Sequence, residues 1–204
     1  MRLATIDQIH VLSRRLMSET DGLPKEEKKQ KICDAVLDLL IMAYVFGCDR
    51  VVEGLPEEQT VLLSQTDFEP EGTNISQQEL YEVIYKPIAG ETFEQRIRRR
   101  IDEETLDEDT LNRIMETDYH RVEETGADYT ARTVSTKLGM NAYKKWQTME
   151  DDRVRDTHWY IQDIEVPLSE RFYTFDGDSA MYPGDFQNAD NNVNCRCWLS
   201  YTFR

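Results

Sequence analysis

Two clusters of polar residues near the carboxyl end of the chain most strongly constrain its fold. The first covers residues 144–158 (KKWQTMEDDRVRDTH) and the second covers residues 183–197 (PGDFQNADNNVNCRC). An irregular, aromatic-rich stretch separates them, which predicts a small domain whose two ends meet. Cys195 and Cys197 lie two residues apart, so in an extended segment their side chains point to the same face. Their sulfurs and the imidazole of His158 are therefore expected to converge.

Nine residues of these clusters are candidates for one structural polar knot. They are Asp152, Arg153, Arg155, His158, Asp185, Asn194, Cys195, Arg196 and Cys197. Charge-assisted hydrogen bonds among such groups can hold a small domain together. A nuclease-type site is the alternative, in which the histidine transfers a proton and an arginine binds an anion. Residues 150–204 contain eleven Asp or Glu, five Arg and no Lys, which disfavours the attraction of phosphate.

A zinc site is a further alternative for part of the knot. His158, Cys195 and Cys197 are good zinc ligands, but a closed structural site needs four ligands in tetrahedral geometry. Two other histidines, His10 and His120, occupy helical segments without ligand spacing, so we expect them at the surface or packed between helices. The sequence therefore predicts a cluster without metal or other cofactor.

The charge and hydropathy of the chain exclude some classes of protein. A net charge of -16 over 204 residues and a pI near 4.6 imply repulsion from bare phosphate backbones, so general coating of nucleic acid is not expected. The longest apolar run, residues 39–48, is half the length of a membrane helix. No secretory signal follows Met1. The sequence predicts a soluble protein made in a cytoplasm, without a membrane partner.

The periodicity of apolar residues predicts a mostly helical first half and an α+β end. The predicted domains are a helical region over residues 1–89, helices leading into the core over residues 90–146, and a carboxyl-terminal α+β module over residues 147–204. The predicted helices cover residues 7–19, 25–52, 77–85, 92–101, 109–124 and 127–146, with a loop over residues 53–76 and a terminal strand over residues 198–203. Cys33 and Cys48 lie about 22 Å apart on one predicted helix, too far for a disulfide, and are expected in the core.

A run of arginines stands out against the acidic composition. It consists of Arg96, Arg98, Arg99 and Arg100. Four cations within five positions are able to contact phosphate or an acidic partner surface. The alternative is a solvated helix whose arginines pair with neighbouring carboxylates such as Glu94 and Glu103.

The order of motifs resembles that of the bacteriophage Mu F-like family of minor head proteins. The resemblance rests on Trp146, the run Asp152-Arg153-Val154-Arg155, His158, Phe172, the P-G-D at residues 183–185 and the N-C-R-C at residues 194–197. Residues 90–98 (GETFEQRIR) also look like the start of a helix in that family. The resemblance covers roughly residues 90–204.

This resemblance implies a head morphogenesis protein. Because the sequence shows no complete set of catalytic residues, we do not expect an enzyme. Members of the family are expected in the virion, where they associate with portal, coat or scaffolding proteins during assembly and influence genome packaging or ejection. Packaged DNA would be only an indirect partner. Two alternatives remain from the sequence: a prophage-encoded effector or toxin-like enzyme of nuclease type, and a connector or adaptor at the junction of head and tail.

Overall fold

The computed structural model describes residues 3–68 and 75–204, with side chains from residue 5 onward. Within these residues, a helical amino-terminal part precedes a region of short antiparallel strands, which confirms the predicted α+β class. The elements in chain order are α1 Leu3–Glu19, α2 Lys25–Glu53, α3 Glu57–Ser64, α4 Gln77–Ile84, α5 Phe93–Asp102, α6 Glu108–Leu138, β1 Ala142–Gln147, α7 Asp156–Tyr160, β2 Glu165–Pro167, β3 Phe172–Tyr173, β4 Ser179–Ala180, α8 Ala189–Asn192 and β5 Trp198–Phe203.

Helices α4, α5 and α6 begin at residues whose side chains cap them. Ser76 and Thr92 each form a reciprocal capping box, the first with Glu79 in α4 and the second with Gln95 in α5. The Asp107 carboxylate accepts a hydrogen bond from a backbone N–H in the first turn of α6. Because a helix leaves its first N–H groups unpaired, these caps determine locally where each of the three helices begins.

The two longest helices, α2 and α6, cross at a pair of glycines. A Cβ atom added at Gly47 would lie closer than 3.0 Å to the carbonyl oxygen of Glu123, and one added at Gly126 would clash in the same way with the carbonyl oxygen of Tyr44. Only residues without a side chain allow the two backbones to approach this closely. The crossing fixes the position of α6, which also contacts β1 and β5.

The carboxyl-terminal region is built on a three-stranded antiparallel sheet with the order β2-β1-β5. Gln147 in β1 lies opposite Trp198 in β5, and β3 pairs with β4 in a separate hairpin. Along β1 the side chains of Ala142, Lys144 and Trp146 are buried, whereas those between them are half-buried. This alternation is the period of two that a strand imposes.

The predicted helix over residues 127–146 is wrong beyond Leu138. There α6 ends, since Gly139 adopts the left-handed conformation (φ 63°) that commonly terminates a helix, and β1 follows. The predicted break between residues 124 and 127 is also wrong, because Gly126 lies inside α6. Pairing with β5 decides the conformation of residues 142–147. The sheet thus joins residues on both sides of the boundary predicted at residue 147.

The predicted loop over residues 53–76 contains a helix that the sequence analysis missed. Helix α3 begins directly after Pro56, a residue whose backbone favours the start of a helix. Its Leu63 is buried, and the Gln59 side chain donates a hydrogen bond of 3.1 Å to the carbonyl oxygen of Phe203. These tertiary contacts stabilise a short helix. Residues 69–74 of the predicted loop lie outside the described residues.

Among the described residues, buried apolar side chains form one core among the helices, a second within the carboxyl-terminal region and a third where α6 meets β1 and β5. Cys33 and Cys48 lie in the helical core, as predicted. The second core contains Trp146, Ile161, Phe172, Ala180, Phe186, Cys195, Cys197 and Leu199. None of the helices within residues 3–68 and 75–204 combines the length and apolar character needed to cross a membrane.

Candidate functional site

His158, Cys195 and Cys197 lie together in the second core and are named here the Cys–His cluster. Nδ1 of His158 is 3.6 Å from Sγ of Cys195 and 3.3 Å from Sγ of Cys197. All three side chains are buried, with at most 4% of any residue exposed. Nε2 of His158 has no hydrogen-bond partner. The cluster thus brings one imidazole and two sulfurs within bonding range of a common point.

Two short segments place these side chains. Helix α7 begins after Arg155 and turns His158 inward, where its ring stacks on Phe186 at 5.1 Å and meets the edge of Trp146 at 5.6 Å. Just before β5, Asn194 adopts a left-handed conformation (φ 55°), after which the chain extends. Alternate residues of this extended chain, the two cysteines, then face the histidine.

Arg155 and Arg196 tie the segments around the cluster to each other. Nη2 of Arg155 donates a hydrogen bond to the carbonyl oxygen of Val193. The Arg196 guanidinium makes two hydrogen bonds, of 2.8 and 2.6 Å, to the carboxylate of Asp151. This bidentate pairing holds the pKa of Asp151 well below its usual range. The loop before α7 is thereby fastened to the turn before β5.

Three other residues of the predicted knot are not members of the Cys–His cluster, although Arg153 lines the cleft beside it. The side chains of Asp152 and Arg153 are exposed, and Arg153 pairs with Asp151 at 3.4 Å. The pairing partner of Arg196 is therefore Asp151, one residue before the aspartate that the sequence analysis selected. Asp185, the third of these residues, contacts other elements. Its carboxylate accepts hydrogen bonds from Lys86 Nζ (2.6 Å), Arg171 Nη2 (3.1 Å) and the backbone N–H of Met181 (2.9 Å).

His120, which the sequence analysis assigned to the surface or to helix packing, is buried beside Cys195. It projects from α6 with 1% of the residue exposed, and neither ring nitrogen has a hydrogen-bond partner. Ligand atoms of His120, Glu123 and Glu124 lie within 4.8 Å of one another. The sequence signal was the spacing H-x-x-E-E, which places all three side chains on one helix face.

The electrostatics of the two cysteines differ. Hydrogen bonding from the Cys197 thiol, and the nearby imidazoles of His120 and His158, hold the pKa of Cys195 well below its usual value despite burial. The pKa of Cys197 is raised, first because a thiolate at Cys195 disfavours a second one and then because of burial. One thiolate is therefore favoured in this pocket and a second needs additional positive charge.

Three arginines also line an open cleft next to the Cys–His cluster. The cleft has a volume of about 510 Å³ and is lined by Glu116, Arg153, Arg155, Asn194, Cys195 and Arg196. Because Asp151 neutralises Arg196 and His10 contacts Glu116, much of the local charge is paired inside the protein. The cleft can accept a polar group of a partner.

Three of the four arginines of α5 are engaged by acidic residues of the same chain, and the fourth, Arg100, contacts a threonine. Arg96 contacts the buried carboxylate of Asp118. The other contacts are Arg98 Nε to Glu94 at 2.7 Å, two hydrogen bonds of 2.9 Å from Arg99 to Glu91, and Arg100 Nη1 to Thr105 Oγ1 at 3.4 Å. The geometry thus agrees with intramolecular pairing, the alternative to a phosphate site.

We expect the purified chain to bind duplex DNA no more tightly than a dissociation constant of about 1 µM at roughly 0.15 M salt. The net charge of -16 opposes association, and paired arginines release few counterions. Fluorescence anisotropy with a labelled duplex measures this affinity. Sub-micromolar binding that disappears when Arg98, Arg99 and Arg100 are replaced by alanine would show that α5 is a phosphate-binding surface.

A comparison with known protein families finds one family that matches most of the chain. The sequence profile of the family described as "Phage Mu protein F like protein" matches residues 76–200, more than half of the chain. This range begins at the Ser76 cap of α4 and includes α5, α6, β1 and the Cys–His cluster. No solved structure matches.

Two curated proteins are similar to parts of the chain. The minor head protein GP7 of Bacillus phage SPP1 is 31% identical over 85 residues, which is 42% of this chain and 27% of that protein. The NAD(+)–arginine ADP-ribosyltransferase EFV of Enterococcus faecalis (strain ATCC 700802 / V583) is 43% identical over 61 residues, which is 30% of this chain and 12% of that protein. The chain therefore spans between about a tenth and a quarter of the length of these relatives.

Proposed function

The chain belongs to the phage Mu protein F-like family, and we propose that it is a minor head protein that acts in phage head morphogenesis. The observation that carries this proposal is the extent of the family match over residues 76–200. That range contains a continuous set of packed elements, from α4 to the first half of β5. The similarity to the minor head protein of phage SPP1 supports the same role.

In this role the chain associates with portal, coat or scaffolding proteins during assembly, resides in the virion and influences packaging or ejection of the genome. Its acidic charge makes a protein partner more suitable than DNA, which it would influence indirectly. The ADP-ribosyltransferase is similar over 12% of its length, so its name supports no enzymatic role for this chain.

An exposed aromatic patch supports contact with a protein partner. Tyr160 and Phe175 meet edge to face at 5.7 Å, yet 59% and 60% of these residues remain exposed. Trp159, Ile164 and Tyr173, close to them in sequence, are also exposed. Aromatic side chains are enriched in protein interfaces. A contiguous exposed apolar patch promotes aggregation, so such patches usually mark interaction sites. The patch lies inside the region matched by the family.

Co-expression with the portal, coat and scaffolding proteins of the same phage genome tests the proposal. We expect the chain to co-purify with the portal or to be incorporated into assembled particles, as measured by affinity capture and by mass spectrometry of purified particles. Particles that assemble normally in the presence of the chain but never contain it would refute a role in the head.

The contribution of the patch can be tested in the same system. Replacing both Tyr160 and Phe175 with serine should reduce incorporation by at least about tenfold, since central aromatic contacts often contribute 2 kcal/mol or more. The matched control replaces Val61 and Leu62, which are exposed on α3 outside the family match, with serine. Equal incorporation of the two double variants would exclude the patch as the contact surface while leaving the head role intact.

A further inference from the structure

An apolar groove lies between α1 and α2, in the part of the chain that precedes the family match. It has a volume of about 300 Å³ and is lined by Leu12 from α1 and by Leu39, Met42 and Phe46 from α2, among others. Met42 and Phe46 lie one turn apart and remain 52% and 47% exposed. We call this feature the α1–α2 groove. Contiguous exposed apolar surface of this kind usually marks a site of interaction.

The apolar surface continues across α1. A second hollow of about 340 Å³ shares Leu12 and Arg15 with the α1–α2 groove. It is also lined by Val11, which is 64% exposed. The surface that a partner could cover therefore extends from α2 over the exposed side of α1.

We propose that the α1–α2 groove binds an amphipathic α-helix of a partner protein, with lysine or arginine residues flanking the apolar face of that helix. The lining positions recur every three or four residues on both walls, at residues 5, 8, 9, 12 and 15 of α1 and at residues 35, 38, 39, 42 and 46 of α2. Such rows form ridges between which the ridges of a third helix can pack. An extended strand is a poorer fit, because the walls are helices whose backbone groups already bond to each other.

The charge at the groove selects a cationic helix. Asp7 and Asp38 are exposed and belong to the lining residues, and neither carboxylate forms an ion pair with another described residue. Arg15, the cation among the lining residues, contacts Glu19 at 3.7 Å. Glu19 also contacts Lys31 at 3.0 Å. The charges left available to a partner are therefore negative, and lysine or arginine complements them.

A second copy of this chain is a poorer occupant than a cationic helix. Two grooves that face each other would bring the unpaired Asp7 and Asp38 of one copy towards those of the other. Each chain also carries a net charge of -16, which opposes association of like chains. The groove belongs to different elements from the aromatic patch around Tyr160 and lies outside the family match, so this inference does not depend on the head role.

Two synthetic peptides test the proposal on the full chain. Each has 17 residues, the length of α1, with leucine at the spacing of an apolar helix face. The polar positions combine glutamine with lysine in one peptide and with glutamate in the other. By fluorescence anisotropy at roughly 0.15 M salt, we expect the lysine peptide to bind with a dissociation constant below about 0.1 mM, at least about tenfold more tightly than the glutamate peptide. Weaker binding, or equal affinity of the two peptides, would overturn the proposal.

A double variant separates the groove from the general attraction between a cationic peptide and an acidic protein. Replacing Met42 and Phe46 with serine leaves the net charge unchanged and should weaken binding of the lysine peptide by at least about tenfold. The matched control replaces Val61 and Leu62 on α3, which are similarly exposed, with serine and should keep full affinity. Equal affinity of the two double variants, each shown to be folded by circular dichroism, would overturn binding in the groove.

A second pair of variants tests the role of charge. Replacing Asp7 and Asp38 with asparagine should reduce the preference for the lysine peptide over the glutamate peptide. The control replaces Glu57 and Glu58, two exposed residues of α3, with glutamine, which removes the same number of charges elsewhere. An equal loss of preference in both variants would show that net charge, rather than the rim of the groove, selects the peptide.

Light scattering of the unmodified chain decides between a partner helix and a second copy. We expect a monomer at micromolar concentration. A dimer that dissociates when Met42 and Phe46 are replaced would place a second copy in the groove and overturn the proposal.

Discussion

Replacing Gly126 with alanine should destabilise the protein by about 3 kcal/mol or more, although alanine is the better helix former. Helix propensity alone favours alanine over glycine by about 1 kcal/mol in the interior of a helix such as α6. The packing effect has the opposite sign, because the new Cβ would clash with the backbone carbonyl of Tyr44. A backbone atom in a packed helix cannot move away by rotation about a bond, as a side-chain atom can. We therefore expect a loss of stability at the upper end of the usual range of about 1–3 kcal/mol for overpacking.

Gly47→Ala should behave in the same way, since its Cβ would clash with the carbonyl oxygen of Glu123 on the facing helix. Chemical denaturation followed by circular dichroism measures both variants. Gly54→Ala is the matched control. Gly54 is exposed and has an ordinary right-handed conformation, and an added Cβ would meet only its own helix, at 3.3 Å or more, so we expect a change within about 0.5 kcal/mol. Increased stability of Gly126→Ala would show that propensity prevails and that the helices cross less closely.

The helices and the terminal strand were predictable because their signals are local. The capping residues before α4 and α5 and the apolar spacing along α2 lie within the segments they describe. β5 extends from Trp198 to Phe203, as predicted. In contrast, β1 contains two lysines, and one of them, Lys144, is buried with Nζ donating to the carbonyl oxygen of Met181 at 2.7 Å. A partner distant in sequence provides that stabilisation, so a local pattern could not reveal it.

The candidate site was predictable in part for the same reason. The two-residue spacing of Cys195 and Cys197 predicts that both sulfurs face one way, whatever the rest of the fold. The place of His120 depends on how α6 lies against the segment before β5, which no spacing within α6 encodes. Arg196 pairs with Asp151, the neighbour of the Asp152 that the sequence analysis included in the knot, and the conformation of the loop before α7 determines which carboxylate it meets.

Arg121 is expected to be the most costly single side chain to remove among the ionic groups of α6. It is 1% exposed, and its guanidinium donates to the carbonyl oxygens of Val83 (2.6 Å) and Ile84 (2.9 Å) and to the fully buried carboxylate of Asp118 (3.3 Å). The two carbonyl groups belong to the last turn of α4, and that of Val83 also accepts a long hydrogen bond of 3.4 Å from the backbone N–H of Lys86. A Cβ at Gly184, in the P-G-D motif, would lie 2.9 Å from Arg121, so the motif packs directly on this side chain.

Arg121→Ala should therefore lower the free energy of unfolding by about 3–5 kcal/mol, the range for leaving one member of a buried ion pair without its partner. Arg121→Lys should recover little of this loss, since one ammonium group lacks the forked donors that reach two carbonyls and a carboxylate together. Arg113→Ala is the control on the same helix, because its side chain is exposed, and should change stability by at most about 0.5 kcal/mol. Equal stability of the Arg113 and Arg121 variants in urea titrations would contradict the assignment.

A double-mutant cycle separates two contributions to the effect of Arg121→Ala, the uncompensated charge of Asp118 and the lost hydrogen bonds to α4. If the uncompensated carboxylate of Asp118 dominates the cost, Asp118→Asn should be less damaging in the Arg121→Ala background than in the unmodified chain, with a coupling energy of about 0.5–3 kcal/mol. Arg96 also contacts Asp118, so part of its charge stays compensated and the coupling should fall short of the full loss. A coupling near zero would instead assign the cost to the two carbonyl groups of α4, and the role of Arg121 would then be that of a helix cap rather than an ion-pair partner.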